Sequence, residues 1–362
     1  MKVALYCPIK PPHHPIPTGD RTIARNLMAA MEQAGHEVVL ASDFIAYMKR
    51  PDVALLNLRK AAALAEASVT IARLADAPPD VWLTYHPYDK APDWIGPIVT
   101  QHFGIPYITA EATRTGQVGF EAHRLEAQAG IRAANLHMVL KDSDRSYLTD
   151  LLGSDESLRP LPPFIDPLTP APRPNNPTTA LLAVGQMRPG KKLRNFEILA
   201  EALAPLTDHD WHLTLIGGGP AEEHVRKAFA PLSDQIIFTG AVPREAVLDE
   251  MRKADLFVWP GWREPIGMVY LEAQSLGMPV AAFADMGVPL VVADGETGLL
   301  ALADDMTALT ANIARLLDEP ALRLSLGGAG PAHVARNHSL AAAGERLTAA
   351  FREVLGAHGT RG

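Results

Sequence analysis

A single cysteine, Cys7, stands among 362 residues, so no internal disulfide can form, and a reducing, cytoplasmic setting is the expectation. Long apolar runs are also missing. No stretch of about 18 apolar residues is present to span a membrane, and the run in "MKVALYCPIK" is cut by Pro8 too early for a secretory leader. Basic clusters are lacking as well. With 33 Lys and Arg against 41 Asp and Glu, a net charge of −8 and no long basic run, a nucleic-acid partner is not expected. The 13 histidines show no paired ligand spacing on a helix face, so no zinc site and no other metal site is expected. What remains is 48% apolar and 20% charged, the balance of an ordinary globular enzyme. The length suits two domains of about 150 to 200 residues.

Short apolar runs alternate with helical patterns almost throughout, which points to α/β units around parallel sheets. Candidate strands in the first half are "KVALYC", "HEVVLA", "DVALLNL", "DVWLTY", "PYITA" and "LHMVLK", with helical stretches at 20–34, 59–76 and 118–133. Residues 159–179 then carry eight prolines. Proline fixes φ and removes a backbone donor, so neither helix nor central strand can cross this stretch, and it reads as an interdomain linker. The alternation restarts with "ALLAVG", "WHLTLIG", "QIIFTG", "DLFVWP" and "PVAAFA". The expected fold class is α/β, two Rossmann-like domains with parallel sheets facing an interdomain cleft, because open α/β sheets bind ligands at strand carboxyl ends. The expected boundaries are 1–160, a linker at 161–178, a second domain at 179–338 and a C-terminal helix at 339–362. In that helix Leu340, Leu347, Phe351 and Leu355 fall at helical spacing.

Several motifs admit plain structural readings. Gly185, Gly190 and Lys191 satisfy G-x-x-x-x-G-K, but Lys192 replaces the magnesium-binding Ser or Thr of a P-loop, and Pro189 removes a needed N–H. A strand-to-helix turn carrying cations near a phosphate, or a solvated basic turn, fits better. "LIGGGPAEE" places Glu222 where a dinucleotide fingerprint requires its third glycine, so a tight turn explains it. The D-x-D triplets at Asp142/Asp144 and Asp208/Asp210 read as cap and loop residues.

"GWREPIGMVYLEAQSLGMPV", residues 261–280, sets Glu264 and Glu272 eight apart across a helix start. A helix beginning near Ile266–Gly267 would offer free N–H groups to an anion, and Gly267 would let a phosphate approach closely. Glu272 would then lie about 7 to 8 Å along the axis. Ionised carboxylates only accept hydrogen bonds, so their natural partners are hydroxyls. The order hydroxyl acceptor, phosphate site, hydroxyl acceptor matches a sugar–diphosphate–ribose ligand. On spacing alone a second reading stands equally: Glu264 caps the helix and Glu272 pairs with a surface lysine.

"REPIGMVYLEAQSLGMPVAAFADMGVPLVVADGETGLL" closely resembles the signature of family 4 glycosyltransferases, the group 1 nucleotide-sugar transferases of GT-B fold. Glu264 and Glu272 match the ends of that family's E-x7-E motif. "AVGQMRPGKKLRNFEILAEAL", "LTLIGGGPAEEHV" and "IIFTGAVPREAV" are similar to the units before it, and "PIPTGDRTIARNLMAAMEQAGHEVVLAS" resembles the family's N-terminal glycine loop and first helix. The resemblance covers nearly the whole chain and is strongest over 180–300.

It implies a retaining transfer of a sugar from a nucleotide diphosphate-sugar to a hydroxyl acceptor, a small molecule, glycan or lipid, with no cofactor or metal. Glu264 would face the sugar hydroxyls and Glu272 the ribose. Backbone at Ile266, Gly267 and Met268 would bind the diphosphate, with Lys191 neutralising it. Gly19 would admit the diphosphate near the first helix, Gly185 would close the strand turn and Val242 would lie beside the base. The C-terminal helix would cross back to the first domain. Two positions depart from the family: Gln186 stands where Arg is usual, with Arg188 a possible supplier of that charge, and Glu111 stands where His is usual, with His86 a possible substitute. These departures keep other classes open: a nucleotide-sugar binding protein, an epimerase of the same fold, or a nucleotide-triphosphatase, which Lys192 opposes.

Overall fold

The computed structural model describes residues 1–16, 18–170, 172 and 176–359. Its contacts divide the chain into two compact units, Met1–Pro162 with Leu340–Gly362, and Pro163–Ser339. The linker expected at 161–178 lies partly outside the described residues, at 171 and 173–175, as does the end of the expected C-terminal helix at 360–362.

The first unit carries β1 (Lys2–Tyr6), β2 (Glu37–Ser42), β3 (Val81–Tyr85), β4 (Tyr107–Ala110), β5 (Leu136–Val139) and β6 (Leu158–Pro160), in the sheet order β2-β1-β3-β4-β5-β6. Every pairing is parallel. All five residues of β3 and all four of β4 and β5 are buried, as expected for parallel strands covered on both faces. Asp93 lies wholly inside this unit and is saturated by Thr84 (2.6 Å), Tyr107 (2.8 Å) and the Ile95 and Gly96 N–H groups (2.8 Å each). Its role is therefore to hold the fold.

One expectation fails here. "DVALLNL" is not a strand but the start of the helix Val53–Leu74. Asp52 caps it by accepting from Leu55 N (2.9 Å), and Leu56, Ala63, Ala67, Thr70 and Leu74 form its buried stripe. A short apolar run has no period of its own to separate strand from helix, and the cap decides.

The helix Leu340–Gly359 belongs to this unit and packs along the helix Gly19–Gln33. Gly344 makes the close approach possible: a Cβ there would stand 2.5 Å from Ala30 O. Leu347 and Phe351 are fully buried, His36 bonds Thr348 (2.7 Å), and Arg159 pairs with Glu353.

The second unit carries β7 (Thr179–Val184), β8 (Trp211–Ile216), β9 (Ile236–Gly240), β10 (Leu256–Val258), β11 (Val280–Ala284) and β12 (Gly298–Leu302), in the order β12-β11-β10-β7-β8-β9. These are also parallel throughout. The edge strands β6 and β12 have no counterpart in the sequence reading. β6 is three residues long and ends on a proline, which only an edge strand tolerates.

Candidate functional site

At the carboxyl end of β7 the chain turns through residues 185–190 into the helix Lys191–Leu203. Two glycine turns meet there. Gly217 and Gly219, at φ +147 and +148, lie after β8, and a Cβ on either would stand 1.8 Å from Gly185 O or 2.5 Å from Met187 O. Met187 N donates to Gly218 O (3.0 Å) and Ala221 N to Met187 O (2.8 Å). The glycines of "LIGGGPAEE" therefore serve backbone-to-backbone packing of two loops. Gly185 has its own constraint, since a Cβ would reach Trp259 at 2.8 Å.

On the other side, the loop between β10 and the helix Met268–Ser275 is clamped at three points. Asn195, nearly fully buried, accepts from Trp262 N (2.8 Å) and donates to Trp262 O (2.9 Å). Arg263, at φ +53, donates its N–H to Asp285 (2.6 Å). Gly287 N donates to Glu264 O (3.0 Å), and a Cβ on Gly287 would collide with Pro265 O at 2.2 Å. This over-determination fixes Glu264 and the helix start relative to β7.

Between these loops lies a cavity of about 710 Å³ formed wholly by the second unit, within the size range of small-molecule sites. Gly185, Gln186, Arg188, Val242, Glu264, Ile266, Gly267, Met268 and Glu272 all line it. The helix starts at Met268 with Gly267 in the capping position and no side chain bonded to the end, so its N-terminal dipole is open to an anion. Glu272 is the fifth helical residue.

Neither glutamate takes the capping role. Glu264 Oε2 accepts from Lys192 Nζ at 2.5 Å, and Glu272 Oε1 accepts from Arg244 at 2.5 Å. Both carboxylates keep little solvent exposure, 16% and 14%, and among the described residues none bonds the other oxygen of either one.

Lys191 departs from expectation: it is exposed and does not line the cavity, whereas Lys192 does. Lys192 Nζ also stands 5.8 Å from the Trp259 ring centroid, within cation–π reach. The cause is helical rotation. Lys192 lies four residues before Phe196, on the buried face with Phe196 and Leu199, and Lys191 is turned about 100° away. The helical period gave no signal for Lys192, since Lys191 stands at the same spacing before the buried Asn195 and Ile198. Arg244 had none, since its meeting with Glu272 comes from a helix 28 residues earlier.

The first unit gathers a second polar cluster at its strand ends. Gly19 opens the helix Gly19–Gln33, with Thr18 accepting from Arg21 N (3.3 Å). Asp20 accepts from His86 Nδ1 at 3.1 Å, and Glu111 Oε2 stands 4.0 Å from the same nitrogen. His86 and Glu111 follow β3 and β4 with φ of +58 and +55, uncommon for residues with side chains. Glu111 is 2% exposed and saturated by Tyr85 OH (2.9 Å) and Lys141 Nζ (3.0 Å). Burial alone lowers the His86 pKa, but Glu111 and the bond to Asp20 outweigh it and hold it above the usual value. Burial likewise raises the Asp20 pKa, but the bond and charge of His86 prevail and it is lowered. Asp20 and Lys141 carry no motif that announces them.

Asp144 of the first D-x-D triplet is buried, accepts from Thr113 (2.7 Å) and pairs with Lys141 (3.4 Å). Among the described residues no group of three or more His, Cys, Asp or Glu is placed to hold a metal ion. Nor is any helix among them long and apolar enough to cross a membrane.

Comparison with known proteins covers both units unevenly. Residues 178–319 match the family model described as "Glycosyl transferases group 1". A GDP-mannose-dependent monoacylated alpha-(1-6)-phosphatidylinositol monomannoside mannosyltransferase of Corynebacterium glutamicum is 34% identical over 146 residues, 38% of this chain and 38% of that relative's length. The whole chain is similar in fold to a glycosyltransferase of Rickettsia africae, with a TM-score of 0.73, 15% identity and 97% and 98% of the two chains covered. It is similar as well to an Anabaena protein solved with UDP and glucose, with a TM-score of 0.67, 15% identity and 97% and 99% covered. The fold is the two-domain α/β GT-B fold, and over residues 178–319 the chain is similar to the group 1 glycosyl transferases.

Proposed function

We propose that this protein moves a sugar from a nucleotide diphosphate-sugar to a hydroxyl acceptor, with retained anomeric configuration. The observation that carries the reading is one cavity holding Glu264, the open helix start at Gly267 and Glu272 in that order. Glu264 accepts from donor-sugar hydroxyls and Glu272 from the ribose hydroxyls, each with the oxygen not given to its cation. The diphosphate lies against the N-terminus of the helix Met268–Ser275, with Lys192 and Arg188 offsetting its charge as the glycosidic bond breaks. Lys192 takes the role the sequence reading gave to Lys191. Val242 borders the base. A nucleoside diphosphate is the common part of the ligands named for the Corynebacterium and Anabaena relatives.

The first unit supplies the acceptor side. His86 faces the acceptor or the transferred sugar, and Glu111 lies beneath it as a counter-ion. The fixed cations and N–H groups do the electrostatic work, and no divalent metal or other cofactor is needed.

A thermal-shift screen of nucleotide sugars followed by product analysis tests this. A donor at 100 times its Kd should stabilise the protein by about 2.7 kcal/mol. The product should keep the donor's anomeric configuration. Stabilisation without transfer to any hydroxyl acceptor would leave a binding protein, and conversion of the donor alone would mark an epimerase.

A further inference from the structure

Arg244 stands at the end of a helix where a cation is least favoured. It is the first residue of the helix Arg244–Lys253, and the free N–H groups and positive dipole end of that turn disfavour a guanidinium. The other basic residues of the helix follow the rule. Arg252 and Lys253 lie in its last turn and donate one turn back, to Asp249 (2.9 Å) and Glu250 (2.7 Å). Arg244 instead leaves its own helix and donates to Glu272 Oε1 (2.5 Å).

Fold stability does not account for this pair. The Arg244 side chain is 59% exposed, and an ion pair so open to water contributes little to folding. The partner is placed differently. Glu272 is mostly shielded from solvent and lines the cavity, where its side chain has rotamer freedom that a ligand would otherwise have to freeze. Arg244 also lies between Val242 and Val247 in the chain, and both of these line the same cavity. The turn that borders the cavity on one side therefore holds the carboxylate that projects from the other.

We propose that Arg244 is a positioning residue for the ribose: it fixes Glu272 so that Oε2 is ready for the hydroxyls when a nucleotide arrives. This rests on the reading of Glu272 as the ribose acceptor. Preorganisation of this kind raises affinity without a ligand contact of its own, because the side chain is ordered before binding. The guanidinium occupies one carboxylate oxygen and leaves the other to accept from the ligand, so the two bonds do not compete. Direct contact of Arg244 with a phosphate or the base is the rival, and its absence from the residues lining the cavity counts against that.

Titration calorimetry of the full chain tests this, with UDP, GDP and ADP and their 2′,3′-dideoxy forms as probes. Arg244→Ala should bind the ribonucleotide about 10-fold more weakly, the scale of one side chain's rotamer freedom. It should bind the dideoxy form as the parent does, and the free protein should melt unchanged. Arg244→Lys, which keeps a charged donor, should recover most of the loss. The double variant with Glu272→Ala should bind like Glu272→Ala alone. Equal loss toward both nucleotide forms overturns the proposal and marks a direct contact with phosphate or base. Parent-like ribonucleotide affinity in Arg244→Ala overturns it too and leaves a surface pair. A parent that binds none of the three nucleotides, or binds the dideoxy forms equally well, overturns the ribose reading of Glu272 itself and this inference with it.

Discussion

Lys192 Nζ lies 2.5 Å from Glu264 Oε2, while Lys191, its neighbour in the chain, is exposed and outside the cavity. One residue thus separates a cation that faces the candidate donor site from one that faces water. Lys192→Ala should lower the turnover number by about 10²-fold or more, the scale of losing one stabilising donor in the transition state. Lys191→Ala should change it little. Steady-state kinetics on both variants checks this, and a larger loss in Lys191→Ala would reverse the assignment.

The two glutamates should fail in different ways. Glu272→Ala should weaken binding of free nucleoside diphosphate and of nucleotide sugar alike, because its proposed partner is the ribose. Glu264→Ala should leave free nucleotide binding and lose the sugar-dependent part. Titration calorimetry of each variant with both ligands separates the roles, and equal loss of free-nucleotide affinity would refute them.

Transfer should continue in the presence of EDTA. In the proposed reading Lys192, Arg188 and the open helix end at Gly267, all on the cavity wall, offset the diphosphate charge. A rate that collapses under chelation and returns with magnesium or manganese would point to a carboxylate-held ion.

The His86–Asp20 pair should make stability depend on pH in a defined direction. The folded-state pKa of His86 is raised above its ordinary 6.5. Its contribution is therefore complete below 6.5 and is lost as pH rises through the higher folded value. Asp20 is lowered from 3.8, so its share is present above 3.8 and fades as pH falls through the lower folded value. The melting-temperature gap between the parent and His86→Asn should be widest between these two limits and should narrow in alkali. A gap independent of pH would show that His86 acts by packing alone.

Gly217→Ala should destabilise the second unit by about 2 kcal/mol or more, because its Cβ would displace Gly185 backbone and its φ of +147 is unfavourable for alanine. Denaturant unfolding measures this, and an unchanged midpoint would show that the two loops part without cost.

The alternation of apolar runs and helical patterns was enough to indicate two parallel α/β sheets, because strand and helix periods are local properties of the chain. The same locality made the pattern of Glu264, Gly267 and Glu272 legible, since all three lie within one loop and one helix. Where a run was short, local information was insufficient: residues 52–58 read as a strand until the Asp52 cap and the stripe from Leu56 to Leu74 made them helix. Edge strand β6 was lost for a related reason, having little apolar length of its own, whereas the apolar run of β12, GLLAL, was present in the sequence and not read as a strand. The choice between Lys191 and Lys192 was set by about 100° of helix rotation against β10 and its loop, which no motif spacing records. Arg244 on Glu272, and Asp20 on His86, are pairings across 28 and 66 residues. Such meetings are decided by how strands order themselves in a sheet, and only the tertiary structure contains that order.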